Sequence, residues 1–296
     1  MPAGVLTAPG SSVPIIDTHI HLFDPTRPEG VPWPAKGTVM YRPTLPSRLR
    51  EVTQGLGVVG AVAVECSPWL EDNQWLLDAV AKDPIGVVGN LEPGAPDFRR
   101  HLERFGRNRL FRGLRNGPMW RRGLSELLGD LKAFAAADLT LDMGNLRVSG
   151  MEDLLRLSDA IPSLRVVINH LPAMAVPQEA TERSRYEAVM NELAKRPQVF
   201  VKVSAVLRQV GDRVPYELSY YRERLDEIWD RFGADRLLYG SDWPNSEPRG
   251  TYPQVLAVVR EYFTAKGREA AEKYFWRNSI AAYRWIRRDD SQPRAT

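Results

Sequence analysis

His19 and His21 are separated by a single residue in the run Ile15-Ile16-Asp17-Thr18-His19-Ile20-His21-Leu22-Phe23-Asp24. On a β-strand, residues two apart project from the same face, so the two imidazoles can converge on one point. That geometry suits chelation of a divalent metal, or a paired hydrogen-bonding site for a carbonyl oxygen. The first half of the run reads as a strand: it is rich in β-branched residues, it follows Val13-Pro14, and Pro25 forbids the run from continuing. Strict alternation places Asp17 on the same face as His19 and His21, with Ile16, Thr18, Ile20 and Leu22 opposite. The bland alternative is two partly buried histidines with unrelated hydrogen bonds. Only four histidines occur in 296 residues, so two of them beside an aspartate at a strand end outweigh coincidence.

A scaffold must carry these groups. Seven further short apolar runs follow, at residues 58–66, 85–91, 110–115, 139–143, 165–170, 199–204 and 237–242. Most are near-continuous in Val, Ile and Leu, as in parallel strands covered on both faces. Between them, residues 70–82, 97–105, 124–137, 151–161, 178–196 and 216–232 carry apolar side chains at helical spacing, and residues 252–287 hold two more helical stretches. Strand starts advance by roughly 32 residues per step, close to one βαβ unit. The pattern predicts an α/β fold, a single-domain (β/α)8 TIM barrel over residues 14–288, with a flexible arm at 1–13 and a flexible tail at 289–296. A doubly wound open sheet fits less well, because no glycine-rich phosphate fingerprint follows the first strand. Residues 25–46 form a long loop with six prolines and the aromatics Trp33 and Tyr41, the composition of an ordered lid or of simple surface packing.

In such a barrel, chemistry sits at the carboxyl ends of the strands. The first strand puts His19 and His21 there, and the second Glu65, just before Ser67-Pro68-Trp69. The third offers Asn90 and Glu92, weaker because turns favour such residues. The fourth offers Arg112 and Arg115, whose guanidinium can fork onto a carboxylate or a polarised carbonyl, and Arg121 and Arg122 follow on the next loop. Asp142 and Asn145 end the fifth strand, His170 the sixth, Lys202 and Ser204 the seventh, and Asp242 the eighth. A lysine inside Val199-Phe200-Val201-Lys202-Val203-Ser204 must be neutralised, desolvated or aimed into a polar site. His101 lies in a charged amphipathic helix and reads as solvated.

Composition narrows the classes of function. A hydrophobic fraction of 43% and a charged fraction of 26% are those of a globular protein with a sizeable core. A net charge of +3, without dense basic blocks, argues against a nucleic-acid partner. No apolar run is long enough to span a bilayer, and residues 1–14 lack the basic and apolar regions of a secretory signal. The single cysteine, Cys66, fits a reducing cytoplasm and reads as a buried structural thiol. Tryptophans and tyrosines near the C-terminus can pack on the barrel or on a second copy, so a homo-oligomer is left open.

The motifs together resemble the amidohydrolase superfamily, in its amidohydrolase 2 branch. They are Asp17-Thr-His19-Ile-His21, Asn169-His170-Leu171-Pro172, Lys202-Val-Ser204 and Tyr239-Gly-Ser-Asp242-Trp-Pro244, joined by Glu71-Asp72-Asn73 and Trp276-Arg-Asn278-Ser-Ile-Ala-Ala-Tyr283. The resemblance implies a hydrolase that activates water against a cyclic ester, a lactone of a sugar acid or of an aromatic-degradation intermediate. A zinc-dependent decarboxylase on the same barrel is the first alternative, and a non-catalytic sugar-acid-binding barrel the second. Binuclear relatives need a lysine on the fourth strand and a histidine on the fifth, where this chain has Arg112, Arg115 and Asp142, so two metals are not expected. The expected cofactor is one divalent ion, zinc, on His19, His21, His170 and Asp242, or none. On this reading Asp242 is the general base and the three histidines polarise the carbonyl. Arg115, Lys202, Arg122 and Glu65 would contact a small-molecule substrate, and Tyr41, Trp69 and Trp243 would wall the pocket.

Overall fold

A computed structural model describes residues 13–115, 123–144, 146–171 and 176–294. Eight parallel strands run in sequence order: β1 (Ile15–Ile20), β2 (Val58–Val64), β3 (Ile85–Gly89), β4 (Phe111–Arg115), β5 (Thr140–Met143), β6 (Arg165–Ile168), β7 (Val199–Val203) and β8 (Leu237–Tyr239). The bridge Ile20–Trp243, with hydrogen bonds from His21 N–H to Trp243 O and from Asp242 N–H to His19 O, joins the last strand to the first. The fold is thus a (β/α)8 barrel. Each strand lies within the run predicted for it: β1 takes up the first six residues of its run, β4 and β5 begin one residue later, and the other five stop one to three residues sooner, where the carboxyl ends leave the ladder to form the mouth.

Between the strands lie α1 (Pro46–Thr53), α2 (Asp72–Ala79), α3 (Phe98–Gly106), α4 (Leu124–Ala136), α5 (Val148–Ala160), α6 (Ala180–Ala194) and α7 (Leu218–Phe232). After β8 come α8 (Tyr252–Ala265), α9 (Arg268–Glu272), a π-helical turn at Lys273–Arg277, and α10 (Asn278–Tyr283). Helix α1 was hidden by its setting at the end of a proline-rich loop. Pro46 takes its first turn, where no amide hydrogen is needed, and Leu49 and Thr53 bury the inner face. No helix among the described residues is long and apolar enough to cross a membrane.

Side-chain alternation builds two apolar clusters. Ala63, Val87, Leu141, Ile168, Val201 and Tyr239 face the helices, in the larger cluster. Val62, Val64, Val88, Val167, Phe200 and Leu238 form the smaller one with Ala282 and Tyr283, so the end of α10 plugs the barrel interior. The plug is pinned by main-chain acceptors: Thr140 Oγ1 and Arg165 Nε donate to Ala282 O, at 2.5 and 2.9 Å, and Arg112 Nη1 to Arg284 O at 3.0 Å. Arg112 therefore serves the barrel floor. Gln292 is buried there too and accepts the Arg288 N–H at 2.7 Å.

Barrel closure leaves no room for a methyl group at Gly113 of β4, where a Cβ would stand 2.2 Å from the Thr140 carbonyl oxygen of β5. Gly113→Ala is expected to lower stability by about 1–3 kcal/mol, the range for overpacking a tight interior. Chemical denaturation of the variant checks this, and an unchanged midpoint would contradict it.

Candidate active site

Strand β1 does not alternate strictly. Its register against β2 slips between Asp17 and Ile20, and Ile15 and Ile20, an odd number of residues apart, both reach the helix-facing cluster. A β-bulge of this kind re-aims side chains. Asp17 is accordingly not on the face of the histidines, as alternation predicted. Its Oδ1 accepts the amide hydrogens of Ser241 (2.9 Å) and His19 (3.1 Å), and its Oδ2 the Tyr252 hydroxyl of α8 (2.7 Å). Asp17 ties the end of β1 to the turn after β8; burial raises its pKa against these bonds.

That turn carries Asp242 in a left-handed conformation, φ 60°, and the neighbouring strand ends carry His170, Leu171 and Ala205 at φ 59°, 48° and 50°. Such conformations cost about 1–3 kcal/mol each in non-glycine residues and persist where the surroundings impose them. Gly240 permits the close fit, since a Cβ there would meet His19 Cβ at 2.8 Å and Ser204 Cβ at 3.1 Å.

The outcome is a convergence of buried groups from opposite ends of the chain. Asp242 Oδ1 lies 3.6 Å from His19 Nε2 and 3.5 Å from His21 Nε2. These distances exceed a good hydrogen bond, and His19 Nε2 and Asp242 Oδ1 are buried without any hydrogen-bond partner among the described residues. One nitrogen from each histidine and one oxygen of Asp242 lie within 4.8 Å of one another, the donor set of an open site for one divalent ion. His170, expected as a fourth ligand, is not in that group. Its ring packs 4.6 Å from that of His19 and its Nδ1 pairs with Ser204 Oγ at 3.0 Å.

The electrostatics separate the roles. Burial disfavours charge on Asp242, but the neighbouring imidazoles of His21 and His170 and the Asn245 amide outweigh it and hold the carboxyl below its usual pKa. Asn245 Nδ2 donates to its Oδ2 at 2.8 Å. His170 is pushed down to about 4 by burial, and His19 well below its ordinary value by burial and then by Lys202. At neutral pH the site therefore holds an ionised Asp242 beside neutral His19 and His170.

Around this centre the expected substrate contacts divide. Glu65 is half-buried at the end of β2, accepts the Ser67 N–H at 3.0 Å, and has its pKa raised by burial against the pull of Arg115 and His21. It lines a cleft with Phe23, Trp33 and Trp69. Trp69 is the exposed wall of that cleft, and Trp33, which the sequence marked only as a loop aromatic, sets its ring 5.6 Å from His21. The Arg115 guanidinium lies against Gly144, where a Cβ would come within 3.1 Å of it. Tyr41 is half-buried in the loop after β1.

Two of the expected contacts lie deeper than the rest. Lys202 is fully buried, and its ammonium pairs with Asp142 at 2.6 Å, so its charge is matched within the barrel. Trp243 is also fully buried, donating from Nε1 to Glu247 at 2.9 Å beneath the Arg48 guanidinium, so it supports the wall from behind. Arg122 lies outside the described residues, as do Arg121 and Asn145. Cys66 is half-buried, and burial pushes its thiol pKa up, which suits a structural role.

The chain is 30% identical over 252 residues to an L-fucono-1,5-lactonase of Burkholderia ambifaria, covering 80% of this chain and 82% of that one. Among solved structures it is similar to an amidohydrolase of Burkholderia multivorans with bound zinc, at a TM-score of 0.78 and 21% identity, covering 92% of this chain and all of that one. It also resembles a probable 2-pyrone-4,6-dicarboxylic acid hydrolase of Acinetobacter baumannii with citric acid bound, at a TM-score of 0.71 and 19% identity, over 92% of this chain and 99% of the other. Residues 16–285 match the model of the amidohydrolase family, from the foot of β1 to just past α10, and the chain belongs to that family.

Proposed function

We propose that this protein hydrolyses a lactone, most specifically the cyclic ester of a sugar acid, at the mouth of the barrel. The supporting observation is Asp242 Oδ1, ionised, buried, without a hydrogen-bond partner among the described residues, and facing the Nε2 atoms of His19 and His21. A carboxylate so placed takes a proton from an attacking water and returns it to the alkoxide as the ring opens. The imidazoles beside it orient and polarise the carbonyl. The similarity to an L-fucono-1,5-lactonase favours a sugar-acid ring over a pyrone. Trp33 and Trp69 would flank such a ring, and Glu65 would accept from its hydroxyls. On this reading the protein serves carbohydrate metabolism in the cytoplasm.

His19, His21 and Asp242 would hold a single divalent ion, zinc by its preference for imidazole and carboxylate, with His170 alongside. When bound, such an ion supplies Lewis acidity to the carbonyl and acidity to water. Arg115 reaches the same mouth from β4 and would hold the substrate's hydroxyls or carboxylate. Arg115→Met is expected to raise KM more than it lowers kcat; a loss confined to kcat would move this guanidinium into the chemistry.

A panel of aldonolactones, with a pyrone dicarboxylate lactone for contrast, read by acid release at constant pH, tests the reading. Turnover of at least one sugar lactone is expected. Binding without turnover, or carbon dioxide released from an aromatic acid in its place, would overturn it.

A further inference from the structure

Beneath the site, the barrel axis holds a chain of buried polar contacts that the hydrolytic reading does not use. The Tyr283 hydroxyl, on the plug from α10, donates to Asp142 Oδ1 at 2.8 Å. Asp142 Oδ2 accepts from Lys202 Nζ at 2.6 Å, and the same Nζ lies 3.3 Å from His19 Nδ1. Tyr283, Asp142, Lys202 and His19 are all fully buried. The direction of each hydrogen bond follows from which groups can donate. An ammonium carries only donors, and the short contact to Asp142 is that of a charge-assisted pair. Toward His19 it therefore presents a hydrogen, and Nδ1 must meet it with a lone pair.

A neutral imidazole with its lone pair on Nδ1 carries its hydrogen on Nε2. His21 is held the other way. Its Nδ1 sits 2.9 Å from the Val64 carbonyl oxygen, which can only accept, so Nδ1 carries a hydrogen and, in the neutral ring, Nε2 carries the lone pair. Two histidines that look equivalent in the sequence thus present opposite functions toward Asp242.

We propose that Lys202, anchored by Asp142 and Tyr283, is a positioning residue that holds His19 in the Nε2–H tautomer, opposite to His21. His19 then offers the site a hydrogen-bond donor for a carbonyl or a water, and His21 an acceptor or metal ligand. The same device weakens the site as a metal centre, because His19 must give up its Nε2 hydrogen to become a ligand. The inference rests on the hydrogen bonds of the scaffold and holds for whichever lactone the enzyme opens.

The test has two arms. In full-length protein washed with chelator and labelled with ¹⁵N-histidine, long-range nitrogen–proton correlation reads the tautomer of each ring. Only four histidines occur, so His19→Asn and His21→Asn identify the two signals. His19 is expected to carry its hydrogen on Nε2 and His21 on Nδ1; a His19 protonated on Nδ1, alone or on both nitrogens, overturns the proposal. The second arm replaces the whole chain of contacts by apolar groups, Lys202→Met with Asp142→Leu and Tyr283→Phe, so that no buried charge is left unpaired. Freed of its donor, the site should bind zinc about tenfold or more tighter in competition with a chromophoric chelator, the scale on which such outer contacts tune metal affinity. Zinc affinity equal to or weaker than wild type, in a variant whose circular dichroism is unchanged, overturns it. Should the triple variant fail to fold, the wild-type spectrum alone decides. Failure of the lactone panel leaves both readouts standing, so the two readings fail separately.

Discussion

Replacing Asp242 with asparagine is expected to cut turnover by about 10²–10⁴, the range typical when a positioned general acid–base group is lost. The substitution keeps the shape of the side chain and can retain a contact with Asn245, so the strained turn at φ 60° should survive. What disappears is the ionised oxygen facing His19 and His21, the group proposed as the base. Initial rates of acid release, with circular dichroism as the check on folding, measure the effect. Wild-type rates in Asp242→Asn would place the base elsewhere and leave the histidines as binding groups.

The second large effect concerns stability. Lys202→Met removes the counter-charge of Asp142, which is fully buried inside the barrel, and is expected to cost about 3–5 kcal/mol. Burial lowers the lysine pKa, while Asp142 beside it pulls the other way, and loss of either partner leaves the other uncompensated. Adding Asp142→Leu should recover most of the loss, because a well-packed apolar pair can replace a buried ion pair at little cost. Equilibrium unfolding of the two singles and the double closes the cycle. A Lys202→Met protein as stable as wild type would mean that the pair contributes nothing to the fold.

These two residues also mark how far the chain could be read from its sequence. The eight strands were legible because buried parallel strands are apolar runs bounded by turn residues, and the barrel followed from their spacing. His19, His21, His170 and Asp242 were legible because the fold puts strand ends in one place. The face of Asp17 was not legible, since a bulge in β1 depends on its pairing with β2 and leaves no local signal. Lys202 showed itself as a charged residue in an apolar strand, which admitted either a buried pair or a polar site. Its partner lies 60 positions away on β5, and nothing in either segment announces the pairing. The plug residue Tyr283 was visible only as part of a C-terminal motif, because its entry into the barrel depends on the path of α8 to α10 around the floor. Trp33 likewise needed the course of the loop after β1 before its place beside His21 could be known.

The most direct test of the hydrolytic account is turnover in water enriched with oxygen-18, followed by mass spectrometry of the product. Attack of an activated water on the lactone carbonyl predicts one heavy oxygen per turnover, located in the newly formed carboxyl group. An unlabelled product, or one that has lost carbon dioxide, would contradict the assignment of Asp242 and its histidines to ring opening.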